Sequence, residues 1–357
     1  MIAENTDYRY EIMDMKNPYD VRKVSDFLSP LGFDFTPDQI DYTVILINLN
    51  DELIATGSLK NNVLKFVAVA TKFRDTTAFS FIVKHLSERV LLNSKTAFVF
   101  TKPENIEKFM SIGYAEIASA PPTYALLEFG YKLIKDYKAY LKSKRINRLA
   151  QKVASIVVNC NPFTNGHKYL IEKAAAENDV LYVFVVEEDQ SVFNFKVRWK
   201  LIEEGISHLK NVVLLRGGNY IVSSVTFPAY FLKSEKADLI TQKQTELDLN
   251  VFVKHIAPIL GINKRYVGTE IYCKTTAEYN KSMKNILTKN GIELVEVQRL
   301  AIGSEDNYVS ASKIRKAIKD ENLDSVLDFL PDSTKAFLLS KDSEQIRNRI
   351  KASSSRH

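Results

Sequence analysis

From residue 153 to residue 318 the chain keeps switching between two periodicities, and that switching restricts its fold more than any other feature. Apolar runs of strand length at 153–158, 180–186, 212–215, 266–267 and 293–297 alternate with helix-patterned segments at 168–177, 196–209, 249–260, 277–289 and 312–318. Strands that alternate with helices predict a parallel sheet covered by helices on both faces. Ligands of such sheets sit beyond the carboxyl ends of the strands. Two polar segments fall at such ends, 159–167 and 187–189.

The first of these reads Asn159-Cys160-Asn161-Pro162-Phe163-Thr164-Asn165-Gly166-His167-Lys168. A strand that breaks at Asn, Pro and Gly and restarts as a helix at Gly-His has the layout of a nucleotide site. Free N–H groups at the helix start, and the helix dipole, attract phosphate oxygens. Gly166 lets the backbone approach a ligand closely, and His167 and Lys168 add donors. Displacement at the α-phosphorus of ATP concentrates charge on phosphate oxygens, so catalysis is mainly positioning plus donors aimed at them. Thr164, His167 and the first N–H groups of the helix supply such donors. The bland alternative is an N-capped helix that follows a strand. Cys160 reads as a small buried side chain beside the loop rather than a nucleophile.

A second motif, Val309-Ser310-Ala311-Ser312-Lys313-Ile314-Arg315, follows about 145 residues later in the same alternating region. Ser310, Ser312, the local N–H groups and Arg315 make an anion clamp, and Lys313 and Lys316 add charge. Taken alone, Ser-x-Ser before a helix is usually a cap.

At 357 residues the chain is long for one core, so two domains are expected. Residues 1–130 read as α+β, with strands at 42–47, 52–59, 63–69 and 97–100 and helices at 78–93 and 104–112, the second stopped by Gly113. Residues 131–152 hold eight Lys/Arg against one Asp and read as a basic linker helix, either a solvated face or a docking surface for an acidic partner. Residues 153–340 form the nucleotide domain, and 341–357 a tail whose Ser-rich end is expected to be disordered. Apolar residues at 45% and charged ones at 26% suit a soluble globular protein. No stretch has the length of a membrane span, and the first residues lack a signal-peptide pattern. Two widely spaced cysteines fit a reducing cytoplasm, and five histidines show no zinc-like spacing. A net charge of +6 suits small anionic ligands or an acidic partner and is too mild to argue for nucleic acid.

Together the two motifs resemble the nucleotidylyltransferase superfamily, whose members carry (His/Thr)-x-Gly-His and Ser-x-Ser-x-Ile-Arg-like signatures. Here they stand as Thr164-Asn165-Gly166-His167 and Ser310-Ala311-Ser312-Lys313-Ile314-Arg315. The resemblance implies an α/β, Rossmann-like parallel-sheet domain. In it Thr164, His167 and Lys168 would be catalytic, and Asn161, Pro162, Phe163 and Gly166 would form the ATP loop. Ser310, Ser312 and Arg315 would hold the phosphates that leave as pyrophosphate. A narrower resemblance, to the citrate lyase ligase family, runs through most of the chain. It is carried by Asn159 to Glu172, Phe184-Val185-Val186-Glu187-Glu188-Asp189, Thr226-Phe227-Pro228-Ala229-Tyr230-Phe231-Leu232-Lys233, Ile256-Ala257-Pro258-Ile259-Leu260-Gly261-Ile262, Val267-Gly268-Thr269-Glu270, Thr275 to Asn280 and Phe100-Thr101-Lys102-Pro103-Glu104-Asn105. That resemblance implies activation of acetate by ATP and acetylation of the thiol on the CoA-like prosthetic group of the citrate lyase acyl carrier protein. AMP and pyrophosphate would be released, with Mg²⁺ expected to offset the triphosphate charge.

Other residues carry open readings. Arg198, beside Lys196 and Lys200, either reaches a phosphate or lies on a solvated helix face. Gly217-Gly218 permits close ligand approach or makes a plain turn. Glu270 binds ribose or metal, or caps a helix. The first domain resembles the acetyl-CoA-dependent N-acetyltransferase (GNAT) fold. In the segment Lys72-Phe73-Arg74-Asp75-Thr76-Thr77-Ala78, however, Asp75 and Thr77 replace the glycines of that family's phosphate loop. A degenerate domain that receives the carrier's CoA-like arm, or holds the lyase, is expected. Two competing functions remain: adenylylation of a cofactor phosphate, and a regulatory module that binds a nucleotide without turnover.

Overall fold

Seven segments in the first 130 residues pair into one sheet: β1 (Tyr8–Met13), β2 (Tyr42–Asn48), β3 (Leu53–Lys60), β4 (Val63–Val69), β5 (Thr96–Thr101), β6 (Ala115–Ala120) and β7 (Tyr124–Gly130). The computed structural model describes residues 8–74, 76–146, 149–187, 191–223, 237–269, 274–302 and 308–352. Two units emerge, Met1–Tyr137 with Phe227–Asn250, and Lys138–Thr226 with Val251–His357.

In the first unit the strand order is β1-β2-β3-β4-β5-β7-β6, antiparallel except for β4 and β5. The helix Ala78–Leu91 lays Ile82, Val83, Leu86 and Val90 against Val44, Leu46 and Ile54 of the sheet. Those four positions recur at helical spacing, which is what a one-sided apolar stripe requires. Gly113, with φ of 95°, ends the helix Ile106–Met110 in the left-handed region that a side chain resists. β4 and β5 pair only at Val63↔Phe98 and Leu64↔Val99. Beyond that point a cleft of ≈ 750 Å³ is lined by both strands, including Val67, Val69 and Phe100, with Arg74, Lys102 and Lys108 also in its wall.

Three strands of this sheet lack a sequence signal strong enough to read. The Ala115–Ala120 strand, Ala-Glu-Ile-Ala-Ser-Ala, is poor in β-branched residues and rich in a helix former. Its pairing with the apolar β7 decides its conformation, and the hairpin turns at Pro121-Pro122. β1 carries Arg9 and Glu11, and both are partly used in ion pairs at a sheet edge.

The second unit contains β8 (Val153–Val158), β9 (Val180–Val185), β10 (Val212–Arg216), β11 (Lys264–Gly268) and β12 (Glu293–Val297). All pairs are parallel, in the order β10-β9-β8-β11-β12. This is the sheet the alternation predicts. The chain moves outward from β8 through β9 to β10 and then returns to the other side of β8 with β11. The reversal leaves a crevice beyond the carboxyl ends of β8 and β11. One face of the sheet carries the helices Asn165–Glu177 and Phe195–Gly205, packed on Ala154, Ile156, Val183 and Tyr266.

Two segments differ from the sequence reading. Helix begins at Ala237 rather than 249 and runs to Leu260, with a π-turn at Phe252–Ile256. Its first part, up to Asn250, belongs to the first unit. Part of the segment read as a tail is the helix Glu344–Ala352, which buries Ile346 and Ile350 with Ile314, Ile318 and Leu338. Two isoleucines among charged residues are too sparse a stripe to register alone. The linker is helical at Ile134–Lys144, and Tyr137 and Leu141 are buried. Among the described residues no helix is long and apolar enough to cross a membrane.

Candidate active site

The first motif leaves β8 through Cys160, whose φ of 53° turns the chain sharply. Cys160 is buried and burial pushes its thiol pKa up, so it is neither reachable nor ionised. Phe163 and Pro162 point into the core; Phe163 is fully buried and its carbonyl accepts from the Thr334 hydroxyl at 2.9 Å. These two residues anchor the loop and do not line the crevice. Thr164 then caps the helix Asn165–Glu177.

The cap fixes His167. His167 stands at the third helical position, and its Nδ1 lies 3.2 Å from the backbone N–H of Thr164 and 2.9 Å from the Thr164 hydroxyl. Thr164 returns the contact with its side-chain oxygen on the His167 backbone N–H, a reciprocal capping box. A backbone N–H can only donate, so Nδ1 is the unprotonated nitrogen and the ring proton sits on Nε2. Burial, reinforced by the charge of Arg299, pushes the His167 pKa down to about 4. At neutral pH the ring is therefore a neutral Nε2–H donor, stacked on Phe163 with centroids 6.2 Å apart.

The second motif faces the first. Ser310 caps the helix Ala311–Lys319 by accepting from the Lys313 N–H at 3.3 Å. Arg315 donates to the Asn161 carbonyl at 2.6 Å and lies 3.5 Å from the Ser312 hydroxyl. A Cβ on Gly166 would sit 3.4 Å from the Val309 carbonyl. Gly166 thus lies against the second loop, at a distance that a Cβ would also tolerate.

Between them lies a crevice of ≈ 510 Å³, walled by Asn159, Asn161, Thr164, Gly166 and His167 from the first loop and by Ser310, Ala311, Ser312 and Arg315 from the second. The carboxyl ends of β11 and β12 contribute Val267, Gly268 and Arg299. Arg265, Arg299 and Arg315 stand in this wall, and no Asp or Glu does among the described residues. A wall of cationic and neutral donors at two helix starts is built for a polyanion. Among the described residues no cluster of His, Cys, Asp or Glu could hold a metal ion.

Arg198 lies elsewhere than the sequence reading placed it. It is fully buried, and its guanidinium donates to the carbonyls of Phe193, Asn159 and Val186 at 2.9, 2.9 and 2.7 Å. It neither reaches the crevice nor lies on a solvated face; it ties the first loop to the ends of β9 and the following loop. Lys168 is outside the wall, 3.8 Å from Glu172 one turn along its helix. Glu187 accepts from Arg216 and, at 2.7 Å, from the Gly218 N–H, so Gly217-Gly218 serves a local turn. Glu270, Asp189 and Asp75 lie outside the described residues.

Sequence reasoning missed Arg299 and Arg265. Arg299 follows β12, where its Nε donates to the Thr269 carbonyl at 2.8 Å. Its signal was a cation just past the carboxyl end of a parallel strand. Arg265 lies inside β11, where only the folded packing reveals that it is buried.

The sequence model described as "Citrate lyase ligase C-terminal domain" matches residues 153–338. A [citrate [pro-3S]-lyase] ligase of Haemophilus influenzae is 36% identical over 308 residues, 84% of this chain and 90% of that protein. The Escherichia coli protein of the same name is 34% identical over 308 residues, 84% of this chain and 86% of its own length. The chain belongs to the citrate lyase ligase family. A phosphopantetheine adenylyltransferase of Clostridium perfringens is 24% identical over 161 residues, covering 41% of this chain and 93% of that protein. The citrate lyase ligases therefore match both units, whereas the adenylyltransferase spans less than half of the chain. The narrower resemblance, read from the longer blocks across most of the chain, is borne out.

Proposed function

We propose that the chain uses ATP to acetylate the thiol prosthetic group of citrate lyase, releasing AMP and pyrophosphate. One observation carries this reading: His167, locked by Thr164 as a neutral Nε2–H donor, stands opposite Ser310 and Arg315 in a crevice wall with three arginines and no described carboxylate. The triphosphate lies between the two loops. A carboxylate oxygen of acetate attacks the α-phosphorus and forms a new O–P bond. The bond from that phosphorus to the bridging oxygen breaks, and its electron pair leaves on pyrophosphate. Nε2–H of His167 donates to an α-phosphate oxygen as charge builds there. Ser310, Ser312, Arg315 and the helix-start N–H groups hold the departing pyrophosphate.

In the second half-reaction the thiolate attacks the acetyl carbon of the mixed anhydride. The C–O bond to the phosphate breaks, AMP leaves, and the thiol proton passes to solvent. Mg²⁺ bound to ATP screens the triphosphate charge. With no described carboxylate cluster to hold it, no step is assigned to the ion. The first unit's cleft, whose wall sets Arg74, Lys102 and Lys108 beside Glu104, several hydroxyls and apolar side chains such as Val67 and Phe100, suits the phosphates and pantetheine-like stem of the carrier's arm. We assign that unit a binding role and the second unit the chemistry.

Product analysis of the full chain with ATP, acetate and thiol-form citrate lyase tests the proposal. AMP, pyrophosphate and recovered lyase activity are expected. ADP would reject the adenylate route. A stable adenylylated metabolite would favour cofactor adenylylation, and binding without turnover would favour a regulatory module.

A further inference from the structure

Along β11 successive side chains alternate between the two faces of the sheet. Tyr266 faces the helix Asn165–Glu177, where its hydroxyl donates to Glu177 at 2.7 Å and lies 3.0 Å from the Asn178 amide. Arg265 and Val267 therefore point to the opposite face, with Arg265 beside Ser155 of β8 in the parallel register. There Arg265 is only 2% exposed, yet it lines the crevice. Its guanidinium carbon lies 4.7 Å over the ring of Phe252, the first residue of the π-turn. Its Nε and Nη1 are buried and have no hydrogen-bond partner among the described residues. π-turns interrupt helices most often at functional sites.

A buried guanidinium with two idle donors is costly, and one aromatic face offsets only part of that cost. Its fellow buried arginine, Arg198, has carbonyls at three distances below 3 Å, so the fold supplies partners where the role is structural. An anion is the missing partner of Arg265. Its surroundings limit which anion: Val157, Val267 and Met283 also line the crevice, and the Asn280 amide, one turn before Met283, is already engaged by the Gly268 carbonyl at 3.3 Å. A phosphate there would press its remaining oxygens against valine and methionine side chains, which have no donors. A short carboxylate offers one oxygen to the arginine and a small apolar tail to those residues.

We propose that Arg265 is the carboxylate-binding residue of the acyl-acid subsite, which takes a short-chain monocarboxylate on the sheet face opposite the His167 helix. This rests on the adenylate reading given above. The arginine takes one carboxylate oxygen and leaves the other to approach the α-phosphorus from the Val157 side. The short apolar end of the subsite sets the chain length accepted.

Two measurements on the full chain test the assignment. In acetate-dependent ATP–pyrophosphate exchange, Arg265→Met is expected to raise the acetate KM about 100-fold while the ATP KM stays within about twofold. Arg265→Lys, which keeps a charge without the guanidinium, is expected to fall between. An unchanged acetate KM, or acetate and ATP KM values rising together, overturns the assignment. Crystals of the unmodified chain soaked with 3-bromopropionate provide a readout that needs no variant. Anomalous bromine density beside Val157 and Met283 with the carboxylate on Arg265 is expected, and bromine density elsewhere or absent from the crevice overturns the subsite. Failure of the unmodified chain to exchange pyrophosphate rejects the adenylate reading instead, and the soak still decides whether Arg265 holds a carboxylate.

Discussion

The two clefts of this molecule are made from different kinds of wall. In the second unit the crevice is bounded by two helix starts, three strand ends, three arginines and a histidine whose tautomer is fixed. In the first unit the cleft lies where β4 and β5 stop pairing, and its wall mixes apolar side chains such as Val67, Phe79 and Phe100 with Arg74, Lys102, Lys108, Glu104 and several hydroxyls. The first arrangement directs donors at developing charge; the second offers a slot of mixed polarity for an elongated group with both charged and apolar parts. Donors aimed at developing charge stabilise a transition state, whereas a slot that holds the unreacting part of a substrate stabilises the bound state equally before and after reaction. The contrast assigns chemistry to one cleft and docking to the other.

Substitutions in the two clefts should therefore separate the half-reactions. The largest effect is expected at His167. His167→Ala removes one transition-state donor and should slow acetate-dependent pyrophosphate exchange by about 100-fold. Exchange near the unmodified rate in a folded variant would take His167 out of the mechanism. Arg315→Ala should reduce exchange by about 10-fold or more, with the loss seen mainly in pyrophosphate affinity. Equal losses for ATP and for carrier binding would blur the division between the clefts.

The pH profile is expected to change less. The unfolded chain takes up a proton on histidine near pH 6.5, whereas in the folded chain His167 is held down to about 4. The unfolded state thus binds more protons between those values, and stability from this group is full above pH 6.5 and falls as pH drops toward 4. Exchange should show no histidine-like step between pH 8 and 6, and the His167→Ala variant should lose less stability on acidification than the parent. An inflection near 6.5 that disappears in His167→Ala would contradict the neutral-ring account. The smallest effect is expected in the other cleft. Arg74→Ala should leave exchange unchanged within about twofold and weaken only acetylation of the carrier. A loss of exchange there would join the two clefts in one reaction centre.

The division between legible and illegible parts of the sequence has physical causes. β8 to β12 announce themselves as apolar runs separated by helical patterns, and both motif loops fall at helix starts, where Thr164 and Ser310 mark the caps. Local chemistry sufficed for these. β6 and the helix Glu344–Ala352 are decided by what they pack against, and their own residues favour neither outcome strongly. The arginines show the same limit. Arg198 stands among lysines at the start of the helix Phe195–Gly205 and reads equally as a phosphate ligand or as exposed charge, and Arg265, which follows Lys264, gives no signal of its own. Tertiary packing buries both, then gives three carbonyl partners to one and leaves two nitrogens of the other unmatched. No window of sequence contains that distinction.

The central claim concerns where the triphosphate sits. A crystal structure of the full chain with a non-hydrolysable ATP analogue tests it most directly. The account predicts phosphate density between His167 Nε2 and the Ser310–Arg315 loop, with the α-phosphorus turned toward β11. Phosphate density along β4 and β5 of the first unit, or loops too far apart to touch one triphosphate, would contradict it.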